Sequence, residues 1–208
     1  MKYGVSRFLI AFISDAFNIS EIEDIEELIE AKNFSSDIID EYCKAHFEKF
    51  FLFSDKYPFY QNPNFDEESK TKPITELLQF FFPKGNNTIL FYHKVQKEHT
   101  FSPLICARAL CALPAFAVSG GRGYKPSING KPPWYVLIKG KNLFETLVLN
   151  SCGAPIEINT GKGGVLWKSS KIEYNTPIQM TSTLQGLTWL PRYIHLIPAE
   201  GGNCTYTG

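Results

Sequence analysis

The stretch "WYVLIKGKNLFETLVLN", residues 134–150, carries the choice between an all-helical chain and a mixed one. Trp134, Tyr135, Val136 and Ile138 are aromatic or β-branched, favour extended backbone, and predict a strand over 134–140. Gly140 then breaks the run, and Asn142 with Glu145 three residues later has the form of a reciprocal helix cap. A helix is therefore expected over 142–150. Strand followed by helix, repeated less clearly elsewhere, makes the expected class α+β: a helix-rich mixed domain with short strands.

On the N-terminal side the chain reads as mainly helical. "SEIEDIEELIEA" (20–31) pairs Ser20 with Glu23 as a capping box, and Ile22, Ile25, Leu28 and Ile29 recur at helical spacing. A second helix is expected to begin at Ser36 and run through "DIIDEYCKAHFEKFF". "KYPFYQNPNF" (56–65) cannot be helical, because Pro58 and Pro63 push their predecessors into extended backbone. Pro73 is placed to open "PITELLQFFF", and Pro83 to close it. "PKGNNTILFYHK" (83–94) is a turn leading into a β-prone run. "SPLICARALCALPAF" (102–116) is a helix with Ser102 as cap and Pro103 at its first position; Pro114 is expected to kink or shorten its end. Further on, "INTGKGGVLW" has turn signals and room for one strand. "TSTLQGLTWLPRYIHLIP" (181–198) reads as a helical turn, a break at Pro191 and a strand.

The 208 residues suit a single domain, and an apolar fraction of 44% can fill its core. Net charge is zero but unevenly spread. Residues 1–50 hold eleven acids against five bases, and no acid occurs between Glu98 and Glu145. That acid-free window carries Arg108, Arg122, Lys125, Lys131, Lys139 and Lys141, a field suited to a polyanion. Five scattered cysteines and no secretory signal predict reduced thiols and a cytoplasmic location. "RFLIAFI" (7–13) is too short to span a bilayer.

Catalytic chemistry finds no footing. No cysteine pair has zinc-ligand spacing, so neither a metal nor another cofactor is expected. No signature surrounds any Cys or His, and His46, four residues from Tyr42 and Phe50, reads as a packed side chain rather than a base. The glycine-rich "GGRG" (120–123) and "GKGG" (161–164) do not match a nucleotide-binding P-loop. "AVSGGRGYKPSINGKPP" (117–133) combines glycines, three cations and no acid. It reads either as a helix cap with a basic turn or as a backbone that approaches a phosphodiester closely.

Five segments in order, "FFLFSDKYPFYQNPNF", "KGNNTILFYHK", "SPLICARALCALPAFAVSGGRGYK", "IKGKNLFETLVLN" and "TLQGLTWLPRYIHLIP", resemble the large subunit (CasA) of the type I-E CRISPR surveillance complex, Cascade. The resemblance spans about residues 7–204. It implies a partial N-terminal domain over 1–208, lacking the family's N-terminal strand-rich segment, its zinc knuckle and its C-terminal helical bundle. It implies no enzymatic activity. The implied role is recognition of the protospacer-adjacent motif in double-stranded target DNA, initiation of the R-loop, and recruitment of the helicase–nuclease in antiviral defence. The implied partners are the other Cascade subunits, the guide RNA, the target duplex and the helicase–nuclease.

Residue by residue, the family's minor-groove loop falls on Ser119, Gly120, Gly121, Arg122, Gly123 and Tyr124, with Lys125 and Arg122 meeting phosphates. A second nucleic-acid-touching loop falls on "NNTILFYHK", with Asn87, Phe91 and His93. The alternative is an assembly module whose acidic helices and aromatics dock on partner subunits without touching DNA.

Overall fold

A computed structural model of the chain describes residues 1–63, 71–78, 98–117, 134–151, 163–169 and 181–206. Six α-helices lie among these: α1 (Lys2–Ala16), α2 (Ile22–Ala31), α3 (Ser36–Ala45), α4 (Pro103–Phe116), α5 (Leu143–Leu149) and α6 (Thr183–Leu187). Short 3₁₀ turns stand at Phe47–Phe50, Ile74–Leu78 and Leu166–Lys168.

The centre is α1, which packs against α3, α4, α5 and α6. Its approach to α4 is close because small residues face each other. Ala11 and Ala109 are fully buried, and a Cβ built on Gly4 would overlap the Ala112 Cα and come within 2.7 Å of the Cys111 carbonyl oxygen. On its other side α1 contributes Phe8 and Phe12 to an aromatic cluster. Phe8 meets Phe59, Tyr60 and Trp167 at centroid distances of 5.6, 6.0 and 5.4 Å, all edge-on. Edge-to-face contact suits the aromatic quadrupole and lets large rings fill a core densely. The proline-broken loop at 56–63 thus belongs to the interior: Phe59, Tyr60, Gln61 and Asn62 are all buried.

Several helix boundaries follow the sequence closely. Ser102 Oγ accepts from Ile105 N at 3.4 Å and caps α4, with Pro103 at its first position. Pro114 lies in the last turn, where the helix continues to Phe116 and closes through Ala117 N to Leu113 O at 2.8 Å. For α2 the box is displaced by one residue. Asp24, not Glu23, accepts from Glu21 N at 2.9 Å and from Ser20 N at 2.8 Å. α3 starts at Ser36 as expected but stops at Ala45, and the following residues tighten into a 3₁₀ turn.

The expected α+β class is wrong: no strand occurs among the described residues. The period-2 pattern itself was meaningful. Along 134–138 exposure alternates, with Trp134, Val136 and Ile138 outward and Tyr135 and Leu137 partly buried; along 193–197 Tyr193, His195 and Ile197 are outward, Leu196 is buried and Ile194 partly so. Alternation records which side chains meet the core, whereas a strand also needs a neighbouring backbone. Here side-chain amides take that place. Asn150 Nδ2 donates to Ile138 O at 2.7 Å and its Oδ1 accepts from Ile138 N at 3.0 Å. Gln61 Oε1 accepts from Leu196 N at 2.6 Å, while its Nε2 donates to Leu52 O at 2.7 Å. One backbone bond, Asn62 N to Ile194 O at 2.8 Å, is added. The strand anticipated in "INTGKGGVLW" gives way to the 3₁₀ turn Leu166–Lys168 in its described part and just beyond it. The run at 83–94 lies outside the described residues.

Candidate nucleic-acid interface

The glycine-rich stretch leaves the described structure after Ala117 and the chain re-enters it at Trp134. Both flanks are held by one aromatic clasp. The Tyr135 hydroxyl donates to the Ala115 carbonyl in the last turn of α4. The Tyr135 ring stacks on Tyr3 of α1 at 4.4 Å, and Phe116 stands edge-on to Tyr3 and Tyr135 at 6.1 and 6.0 Å. Burial raises the pKa of both tyrosines, and the nearby Arg7 charge opposes that rise. Arg7 is itself buried on α1. Its Nε donates to Leu187 O at 2.9 Å and its Nη2 to Gly186 O at 2.5 Å, placing a cation on the carbonyl end of α6.

Beyond the clasp the chain turns sharply into α5. Asn142 Oδ1 accepts from Glu145 N at 2.8 Å, and Glu145 reaches back to Lys141 N at 2.7 Å. Gly140 is required here, since a Cβ would stand 2.7 Å from Thr146 N. With Asn150 gripping Ile138, the backbone carrying Lys139 and Lys141 is fixed at several points while both side chains stay exposed. Arg108 is also exposed on α4. These three are the members of the acid-free window that the described residues include, and all three are free to meet a polyanion's phosphates.

Among the described residues, Cys106, Cys111, His46 and Tyr42 are packed or bonded within the fold. Burial pushes the Cys111 thiol up to about 12 and raises Cys106 as well, with Cys204 adding to the latter. Such thiols are poor nucleophiles. His46 packs edge-on against Tyr42 at 4.6 Å, and burial, followed by the Lys168 charge, lowers its pKa. Tyr42 lies at the middle of a polar clamp. It donates to Asp15 and accepts from Trp167 Nε1 at 2.6 Å, while Lys168 Nζ pairs with Asp15 at 2.7 Å. The clamp ties α1, α3 and the Leu166–Lys168 turn together. Among the described residues no group of three or more His, Cys, Asp or Glu side chains could hold a metal ion.

All ten sequence-derived contact residues, Asn87, Phe91, His93 and Ser119 through Lys125, lie outside the described residues. Sequence reasoning missed the groups that hold the flanks. Tyr135 and Arg7 sit in runs that read as generic strand and generic apolar helix. The one available signal was a lone cation inside "RFLIAFI".

The profile of the CRISPR-associated protein Cse1 family matches residues 1–207. The chain belongs to the CRISPR-associated protein Cse1 family. A curated relative, CRISPR-associated protein CasA/Cse1 of Thermus thermophilus, is 33% identical over 153 residues, which is 69% of this chain and 30% of the relative. Among solved structures, Thermus thermophilus CasA (Cse1) superposes with a TM-score of 0.65 at 24% identity, over 94% of this chain and 42% of its own. Cse1 from Acidimicrobium ferrooxidans gives a TM-score of 0.68 at 23% identity, over 97% and 40% respectively. These structures show the shared Cse1 fold, and the chain spans well under half the length of the relatives it matches. Among the described residues no helix is long and apolar enough to cross a membrane.

Proposed function

We propose that the chain is the part of a Cascade large subunit that contacts the motif-bearing DNA duplex, without catalysis of its own. The glycine-rich residues 119–124 act as a minor-groove probe, and Arg122 and Lys125 neutralise flanking phosphates. The observation that carries this reading is membership of the Cse1 family over residues 1–207. It is supported by a glycine stretch whose two flanks are clasped together and bordered by exposed Lys139 and Lys141. A narrow groove with a degenerate hydrogen-bond code admits a backbone that lacks Cβ atoms. Asn87, Phe91 and His93 supply a second contact to the guide RNA or adjacent nucleotides. R-loop initiation and recruitment of the helicase–nuclease follow once the duplex is engaged.

The test is duplex binding measured across a range of salt. Replacing both Arg122 and Lys125 by Ala should weaken binding and reduce the slope of log K against log salt by about 2. An unchanged slope removes this role from the stretch.

An assembly role is favoured by a different observation. Phe47, Phe51, Phe53 and Tyr57 are exposed within one short segment, and Phe47 and Phe51 pack edge-on at 4.8 Å. α2 has no buried residue and exposes Glu23, Glu26, Glu27 and Glu30. Binding to the other Cascade subunits in the absence of nucleic acid separates that reading from DNA contact.

A further inference from the structure

Residues 134–138 combine a row of exposed apolar side chains with an unpaired backbone edge. Trp134 is 98% exposed, Val136 87% and Ile138 52%. Leu137, on the other side of the alternation, packs against the cluster of Ile10, Ile13, Ile19 and Leu147. We infer that this edge pairs with the same edge of a second copy of the chain. The two segments run antiparallel, with Val136 opposite Val136 on the two-fold axis. The inference stands whether or not the chain contacts DNA.

The Asn150 grip shows which edge is open. Both Ile138 N–H and Ile138 C=O meet the one amide of Asn150, so they point to the same side, as they do in an extended chain. The N–H and C=O groups of Trp134 and Val136 share that parity and point the same way. Those of Tyr135 and Leu137 turn to the opposite edge, where no described residue bonds them. A row of unpaired backbone groups is a template for a further chain.

The second copy fits this edge by symmetry. In the register centred on Val136, Tyr135 and Leu137 exchange N–H···O bonds with Leu137 and Tyr135 of the second copy. Val136 then meets its equivalent, and Trp134 meets Ile138, at the narrow pairs where Cα atoms stand about 4.5 Å apart. All three outward side chains are covered by aromatic or β-branched partners, which suit cross-strand packing. A slip of one residue would set outward side chains against inward ones. A slip of two brings in Pro133, which has no N–H, or sets Trp134 opposite Gly140. Residues 134–138 carry no charge, so the paired segments meet without repulsion. The contact uses the same patch on both copies, so assembly stops at two.

The test is sedimentation velocity of the full chain without nucleic acid, from about 1 to about 200 µM, the range in which a small, weak interface populates its dimer. The parent chain should pass from monomer to dimer. Val136→Lys and Val136→Glu should each weaken the dimer at least about tenfold, because like charges would face each other across the axis. An equimolar mixture of the two variants should restore it, since Lys then faces Glu. Trp134→Ser should weaken the dimer about tenfold, because the contact is lost twice per dimer. Thermal unfolding of each variant checks that it is folded, and if either Val136 variant is not, Trp134→Ser decides. A parent chain that stays monomeric, or that grows past two copies, overturns the inference. So do variants that dimerise like the parent, and so does a Lys/Glu mixture that stays monomeric.

Discussion

Replacing Gln61 by Met tests whether a side-chain amide really substitutes for a sheet ladder. Met has similar length and fills the same space, so the change removes hydrogen bonds rather than volume. Gln61 is 2% exposed and joins Leu52 O, at 2.7 Å, to Leu196 N, at 2.6 Å. The Leu196 amide is buried and would be left without a partner, at a cost of about 2 kcal/mol. Leu52 is half-buried, so water can reach its carbonyl and the loss there is about 1 kcal/mol. The sum is about 3 kcal/mol, a fall in Tm of about 6–12 °C for a chain of this size. Urea denaturation of the two proteins, with the slope m compared, measures it. A loss below about 0.5 kcal/mol at unchanged m would mean that Gln61 does not carry the 193–197 segment, and the reasoning would be refuted.

Other consequences are as definite. Gly4→Ala forces α1 away from α4, because the new methyl meets backbone rather than a movable side chain; unfolding free energy should fall by about 3 kcal/mol in the same denaturation assay. Asn142→Ala removes the cap of α5 and should cost about 1 kcal/mol, with faster amide exchange at Glu145 as the local readout. His46 should titrate below 6.5 by NMR, since burial and Lys168 favour its neutral form. The unfolded chain then takes up the proton first as pH falls, so stability is flat above 6.5 and declines as pH drops through the folded value. Lys168→Met should bring the His46 titration partway back toward 6.5, and no movement would assign the whole effect to burial.

The helices were legible because their signals are local. Ser102 with Pro103, and Asn142 with Glu145, each specify a start within four residues, and the structure uses both. The miss at α2 is of the same kind on a smaller scale: Asp24 and Glu23 are adjacent acids, and the shorter side chain reaches the free amides. The strands failed for a reason no local pattern contains. Alternation at 134–138 and 193–197 correctly told inside from outside, but a ladder requires a second backbone alongside. That position is filled by Asn150 and Gln61, twelve and 135 residues distant from the atoms they bind.

The site divides similarly. Its charge and glycine content were visible in the acid-free window. Its support was not, because Tyr135, Tyr3, Phe116 and Arg7 come from three parts of the chain and meet only in the fold.

The central claim is that residues 119–125 touch DNA rather than another protein. Tyr124→p-benzoylphenylalanine, assembled with the other Cascade subunits, guide RNA and a labelled target duplex, can be irradiated and its adducts separated. The account predicts a covalent adduct with the DNA at the protospacer-adjacent motif. Adducts confined to neighbouring protein subunits would contradict it and leave the chain as an assembly module.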